Sequence, residues 1–125
     1  YFGALGGVVE PLLRSKVDVL GVDLVSDPKA LMALKRVKFT QALAIGCLDA
    51  RNTKLESVKE LHRVFDAIGA FVPLEQVYVS PNCGLECLPH AQPVAKITRL
   101  VEAVRTYPAT GRRTQSRRRL VGASR

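Results

Sequence analysis

With 125 residues, 47% of them hydrophobic and 24% charged, the chain holds enough apolar material for one core and too little for two. The formal charge of +8 sits mostly at one end: residues 111–125 hold six of the 19 basic residues and no acid, leaving 13 basic against 11 acidic elsewhere, which argues against a nucleic-acid partner for the body. Three cysteines do not make a disulfide framework and no apolar run approaches the roughly 20 residues of a membrane span, so the sequence reads as a cytoplasmic domain without a membrane partner.

The leading "YFGALGGVVEPLLRSK" reads as the end of a strand, a glycine loop and a short helix. "VDVLGVDLV" (17–25) is a β-branched run of the kind buried on both faces in a parallel sheet. Asp27-Pro28 then pairs an N-cap residue with proline at the first helical position, and "KALMALKRV" follows as the helix. "QALAIGCLD" (41–49) is the next strand, and the polar "ARNTKLE" leads to Ser57, which has capping-box spacing with Glu60. Val58, Leu61, Phe65 and Ile68 recur at helical spacing and form one apolar face. The third strand is "EQVYVS" (75–80), ended by Pro81. A last helix begins near Ala91, with Val94, Ile97, Leu100, Val101 and Val104 on one face, and finishes by Tyr107, before Pro108. Residues 108–125 are expected to be a disordered basic tail, being arginine-rich and poor in core-forming residues.

Strands alternating with helices imply an α/β fold with a parallel sheet, either doubly wound or closed as a (β/α)₈ barrel. A barrel needs about 250 residues, so residues 1–107 would be only the carboxyl-terminal portion of one.

In both architectures the active site lies at the carboxyl ends of the strands. Those ends carry Asp23, then Asp49 with Arg51, Asn52 and Thr53, then Asn82, Cys83 and Glu86. Cys83 could be a metal thiolate, a nucleophile or a small buried hydrophobe. Its spacing to Cys87 and His90 matches no usual zinc pattern, so spacing alone favours packing. Cys47, inside an apolar strand, reads as core, His62 as a boundary residue of its helix, and His90 as a helix-start residue. Asp23 ends a hydrophobic strand, where a carboxylate needs a partner or a polar cavity. Asp49, Arg51 and Asn52 place an acid, a base and an amide in one loop. They could clamp a small anionic substrate, or form a local salt bridge and an Asx turn.

Taken in order, "YFGAL", "VDVLGVDLV", "AIGCLDARNTKLES" and "VYVSPNCGLECLP" resemble the cobalamin-independent methionine synthase family over residues 1 to about 106. The likeness is to its core-type members and to the related amino-terminal half of the long enzymes. It implies a (β/α)₈ barrel that moves a methyl group to the thiol of homocysteine, making methionine. The donor would be methyltetrahydrofolate or, in core-type members, a methylcorrinoid protein, and Zn2+ would favour the thiolate. Carried onto this sequence, Cys83 matches a zinc-ligating cysteine and Asp23 stands where the family has an acidic ligand, normally glutamate. Tyr1 falls at the cysteine of an H-x-C motif, so the resemblance implies an incomplete ligand set, and the isolated piece is expected to be inactive because a half barrel leaves sheet edges and apolar surface uncovered. Arg51 replaces a histidine near the reacting groups, which suits the Asp49, Arg51 and Asn52 loop to binding substrate rather than to acid–base work. The alternatives are a methyltransferase for another thiol such as coenzyme M, and a non-catalytic binding half.

Overall fold

A computed structural model of the chain describes residues 7–38 and 40–108. The strand end expected at Tyr1 and Phe2, and the basic tail beyond Pro108, lie outside the described residues. The elements are α1 (Val9–Leu13), β1 (Val19–Asp23), α2 (Ala30–Arg36), β2 (Ala42–Leu48), α3 (Val58–Gly69), β3 (Val77–Pro81) and α4 (Ala91–Thr106), with a 3₁₀ turn at Leu74–Gln76 before β3. The three strands pair in parallel in the order β1-β2-β3, with Val19 opposite Ala42 and Leu43 opposite Val77. This is the expected α/β arrangement, because parallel neighbours require a crossover between them and helices supply it. Among the described residues no helix is long and apolar enough to cross a membrane.

One apolar core takes Leu20 and Val22 from β1, Leu43, Ile45 and Cys47 from β2, and side chains from all four helices. Side chains alternate across a strand, so Val19, Gly21, Ala42, Ala44, Tyr78 and Ser80 belong to the opposite face. That face is open: Val19 is 43% and Tyr78 60% exposed. Burial of 17–25 on both faces therefore does not hold, because the described helices cover one side of the sheet. β1 is also shorter than that run, with Val17 exposed ahead of it.

Helix α3 forms where the local signals agree. Ser57 Oγ accepts the Glu60 N–H at 3.1 Å, and the Glu60 carboxylate accepts the Ser57 N–H at 2.7 Å, closing the capping box. Leu61, Phe65 and Ile68 are buried, and each such side chain contributes roughly 1.5–3 kcal/mol. Helix α2 starts two residues later than Asp27-Pro28 suggested. Asp27 closes a turn instead, its carboxylate accepting the Lys29 N–H at 3.1 Å and its carbonyl the Ala30 N–H at 3.0 Å, which leaves Lys29 at the N-cap.

Helix α4 has the expected span but a different orientation. Its buried residues are Lys96, Leu100 and Ala103, while Val94, Ile97, Val101 and Val104 face outward. Of the expected face only Leu100 is buried; on the face that does enter the core, Lys96 pairs with Glu56 at 2.9 Å.

Replacement of Ser57 by alanine should cost about 1 kcal/mol in a denaturant titration at neutral pH. The Ser57 backbone N–H, then Lys54 and the Ser57 hydroxyl, hold the Glu60 carboxyl down at about 2 from an ordinary 4.5. A depressed carboxyl stabilises the fold above its unfolded value and loses that contribution as pH falls through its folded one. The stability gap between wild type and Glu60→Gln should therefore narrow between pH 4.5 and about 2.

Candidate functional site

The carboxyl ends of the three strands meet through one side chain. At the end of β1, Asp23 Oδ1 accepts the N–H groups of Val25 and Ser26, both at 2.9 Å, as an aspartate at a strand-to-turn junction does. After β2, Asp49 Oδ1 accepts the Arg51 N–H at 2.9 Å, and Asp49 Oδ2 accepts from the Asn52 amide. Asn52 Oδ1 in turn accepts the Lys54 N–H at 3.0 Å. Asn82, just past β3, donates its backbone N–H to Leu48 O at 2.9 Å. Its side-chain Oδ1 accepts the Ala50 N–H at 2.9 Å, and its Nδ2 reaches Asp23 Oδ2 at 3.4 Å. Asn82 thus ties the ends of β1, β2 and β3 together.

An open cleft of about 420 Å³ lies here, bordered by Asp23, Arg51, Asn82 and Cys83. Its floor is made of small residues, Gly21, Ala44 and Gly46, from the open face of the sheet. The Gly46 backbone stands so close to β3 that an added Cβ would lie 2.8 Å from Asn82 Cα. The register shifts at this point, between Gly46 and Leu48, and glycine permits the approach.

The structure separates the residues that the sequence grouped. Arg51 extends from its loop to the cleft, its Nη2 3.9 Å from Asp23 Oδ2. Asp49 and Asn52 bond within the loop, as an Asx turn requires, and do not border the cleft. Cys83 is exposed at the cleft edge, so the packing reading that its spacing favoured fails. Cys47 is core, its thiol pushed up to about 11 chiefly by burial. His62 binds the Ala103 carbonyl at 2.8 Å between α3 and α4, and His90 is exposed at the start of α4, away from the cleft.

Burial raises the Asp23 carboxyl, but the hydrogen bonds from Ser26, Val25 and Asn82 outweigh it and hold the group below the ordinary carboxylate range. It therefore stays ionised beside the Arg51 guanidinium. Two residues behind the loop escaped the sequence reading. Glu56 Oε1 accepts the Asp49 N–H at 2.9 Å while its Oε2 receives Lys96 Nζ. The usable signal was a lysine in phase with Leu100 and Ala103 on one helix face.

Zinc does not fit the described residues. Asp23 and Cys83 border one cleft, but catalytic zinc takes three protein ligands. No group of three or more His, Cys, Asp or Glu able to hold a metal occurs among the described residues. Both Asp23 oxygens are also engaged, by two backbone amides, Asn82 and Arg51. Tyr1, at the position of a further family ligand, lies outside the described residues.

A family model described as the catalytic domain of cobalamin-independent synthases matches residues 4–106. The chain belongs to this family. A methionine synthase from Methanothermobacter thermautotrophicus is 29% identical over 102 residues, which is 81% of this chain and 33% of that protein. The 5-methyltetrahydropteroyltriglutamate–homocysteine methyltransferase of Lactococcus lactis is 30% identical over 95 residues, 71% of this chain and 12% of its own. The structure of a B12-independent methionine synthase from Shewanella sp. W3-18-1, solved with selenomethionine, superposes with a TM-score of 0.64 at 21% identity. The superposition covers 78% of this chain and 29% of that one, and shows a shared fold. The family member described here thus spans about a third of the archaeal relative's length or less.

Gly46→Ala should destabilise the chain by about 1–3 kcal/mol, because backbone and not a flexible side chain must give way. A chemical-denaturation midpoint unchanged from wild type would show that β3 shifts at no cost.

Proposed function

We propose that this chain forms part of a (β/α)₈ barrel that transfers a methyl group to the thiol of homocysteine, with the cleft at the ends of β1, β2 and β3 as its amino-acid site. Family membership supports the reaction class. Sequential parallel strands with helices on one face support the barrel, since a doubly wound sheet carries helices on both faces. The observation that carries the binding role is the Arg51 guanidinium brought to the cleft beside an ionised Asp23.

Arginine matches a carboxylate with two parallel N–H donors and stays charged throughout the neutral range. Arg51 would take the carboxylate of homocysteine. Asp23 would orient the guanidinium, itself held by Asn82, and the glycine and alanine floor would leave room for the aliphatic chain. In the transfer, the homocysteine sulfur forms a bond to the methyl carbon as the bond from that carbon to the donor nitrogen breaks. The thiol proton leaves, and the donor nitrogen gains one.

For the donor, methyltetrahydropteroyltriglutamate is favoured over a methylcorrinoid. The family is described as cobalamin-independent, and the name of the lactococcal relative specifies that folate. Zinc assistance would require ligands from outside residues 7–108, and no step here is routed through it.

Among the described residues β1 and β3 are open sheet edges and one sheet face is uncovered. The chain should therefore bind homocysteine without forming methionine. Calorimetric titration with homocysteine under reducing conditions tests this, and Arg51→Gln should weaken binding about tenfold or more. Absence of saturable binding, or an unchanged dissociation constant in Arg51→Gln, would remove the amino-acid site from the proposal.

A further inference from the structure

Lys96 is fully buried, and a buried ammonium is retained only where partners meet its charge. Its Nζ donates to Glu56 Oε2 at 2.9 Å and to the Lys54 carbonyl at 2.5 Å. The other Glu56 oxygen accepts the Asp49 N–H, and Arg99 Nη1 donates to the Glu56 carbonyl at 2.9 Å. Helix α4 therefore grips both flanks of the 49–56 loop: Lys54 and Glu56 directly, and Asp49 through the Glu56 carboxylate. Asp49 then fixes the Arg51 backbone, and Asn82 fixes Ala50 between them. The links through Glu56 and Asp49 run from the helix toward the residue whose guanidinium reaches the cleft, and Asn82 adds one from the end of β3. None of the helix residues borders the cleft itself.

We infer that Lys96 and Glu56 are positioning residues for Arg51: the buried pair moulds the loop so that the guanidinium stands over Asp23, ready for the carboxylate of an amino-acid substrate. The substrate part of this inference rests on the function proposed above; the loop part does not. A purely structural pair would be replaceable by neutral groups with no local consequence, because exchanging both partners of a buried ion pair is often neutral for stability.

The double variant Lys96→Met/Glu56→Gln removes both charges and keeps an acceptor for the Asp49 N–H. It separates positioning from folding, with Lys96→Met alone as the control that strands a charge. Two quantities are read on the whole chain: amide hydrogen exchange, and the dissociation constant for homocysteine. In the double variant the Asp49 and Arg51 amides should exchange about tenfold faster while those of β2 keep their wild-type rates, and homocysteine should bind about tenfold more weakly. Wild-type exchange at Asp49 and Arg51 would overturn the positioning role, whatever the affinity. Faster loop exchange with unchanged homocysteine affinity would overturn its link to the substrate. If the wild-type chain does not bind homocysteine, the amino-acid reading fails, and the exchange rates alone decide the loop inference.

Discussion

A single buried charge joins the last helix to the loop that carries Arg51. Lys96 has no exposed surface, and an ammonium in that position is compatible with folding only if oxygen atoms meet it. Glu56 and the Lys54 carbonyl do so, and the consequences spread in two directions. Toward the helix, the pair sits on the face of α4 that enters the core beside Leu100 and Ala103. Toward the strand, it places a carboxylate beside the Asp49 amide and gives the end of β2 a defined shape. Core packing and site geometry therefore share one electrostatic contact.

The contrast between α3 and α4 shows what was legible in the sequence and why. On α3, the capping box and the apolar repeat are local, within a dozen residues, and they agree, so both the start of the helix and its buried face follow from the sequence. On α4 the span was equally legible, but of the expected face only Leu100 is buried, and the buried Lys96 finds its partner 40 residues away in sequence. Hydrophobic periodicity records only what the helix itself offers. It carries no record of a glutamate that arrives from another loop. The same limit applies to β1, where a β-branched run shows that a strand forms but not how many of its faces the rest of the chain will cover.

At the strand ends, the two readings of the Asp49, Arg51 and Asn52 loop turn out to describe different atoms. The short side chains Asp49 and Asn52 are within reach of their own backbone and are used there, as such residues commonly are in turns. Arginine is too long for that local role and spans the gap to the next strand end. Cys83 illustrates a different limit: spacing patterns recognise complete ligand sets and assign a lone cysteine to packing by default. Only the position of β3 reveals that this cysteine sits at the rim of a cleft. Asn82, its neighbour, matters through a backbone event, the register shift opposite Gly46, that no residue pattern announces.

The resulting site is chemically one-sided. Its cation is permanent, because a guanidinium does not lose its proton in the neutral range, and its anion is committed, because hydrogen bonds hold Asp23 ionised and occupy both its oxygens. Neither group is poised to exchange a proton with a substrate. Such a pair suits recognition and orientation, and hydrogen bonds from Asn82 to Asp23 and from the Arg51 amide to Asp49 back its two sides. In the proposed methyl transfer, proton movement would then fall to groups beyond this pair, and the part of these three strands would be to hold the substrate carboxylate in the cleft.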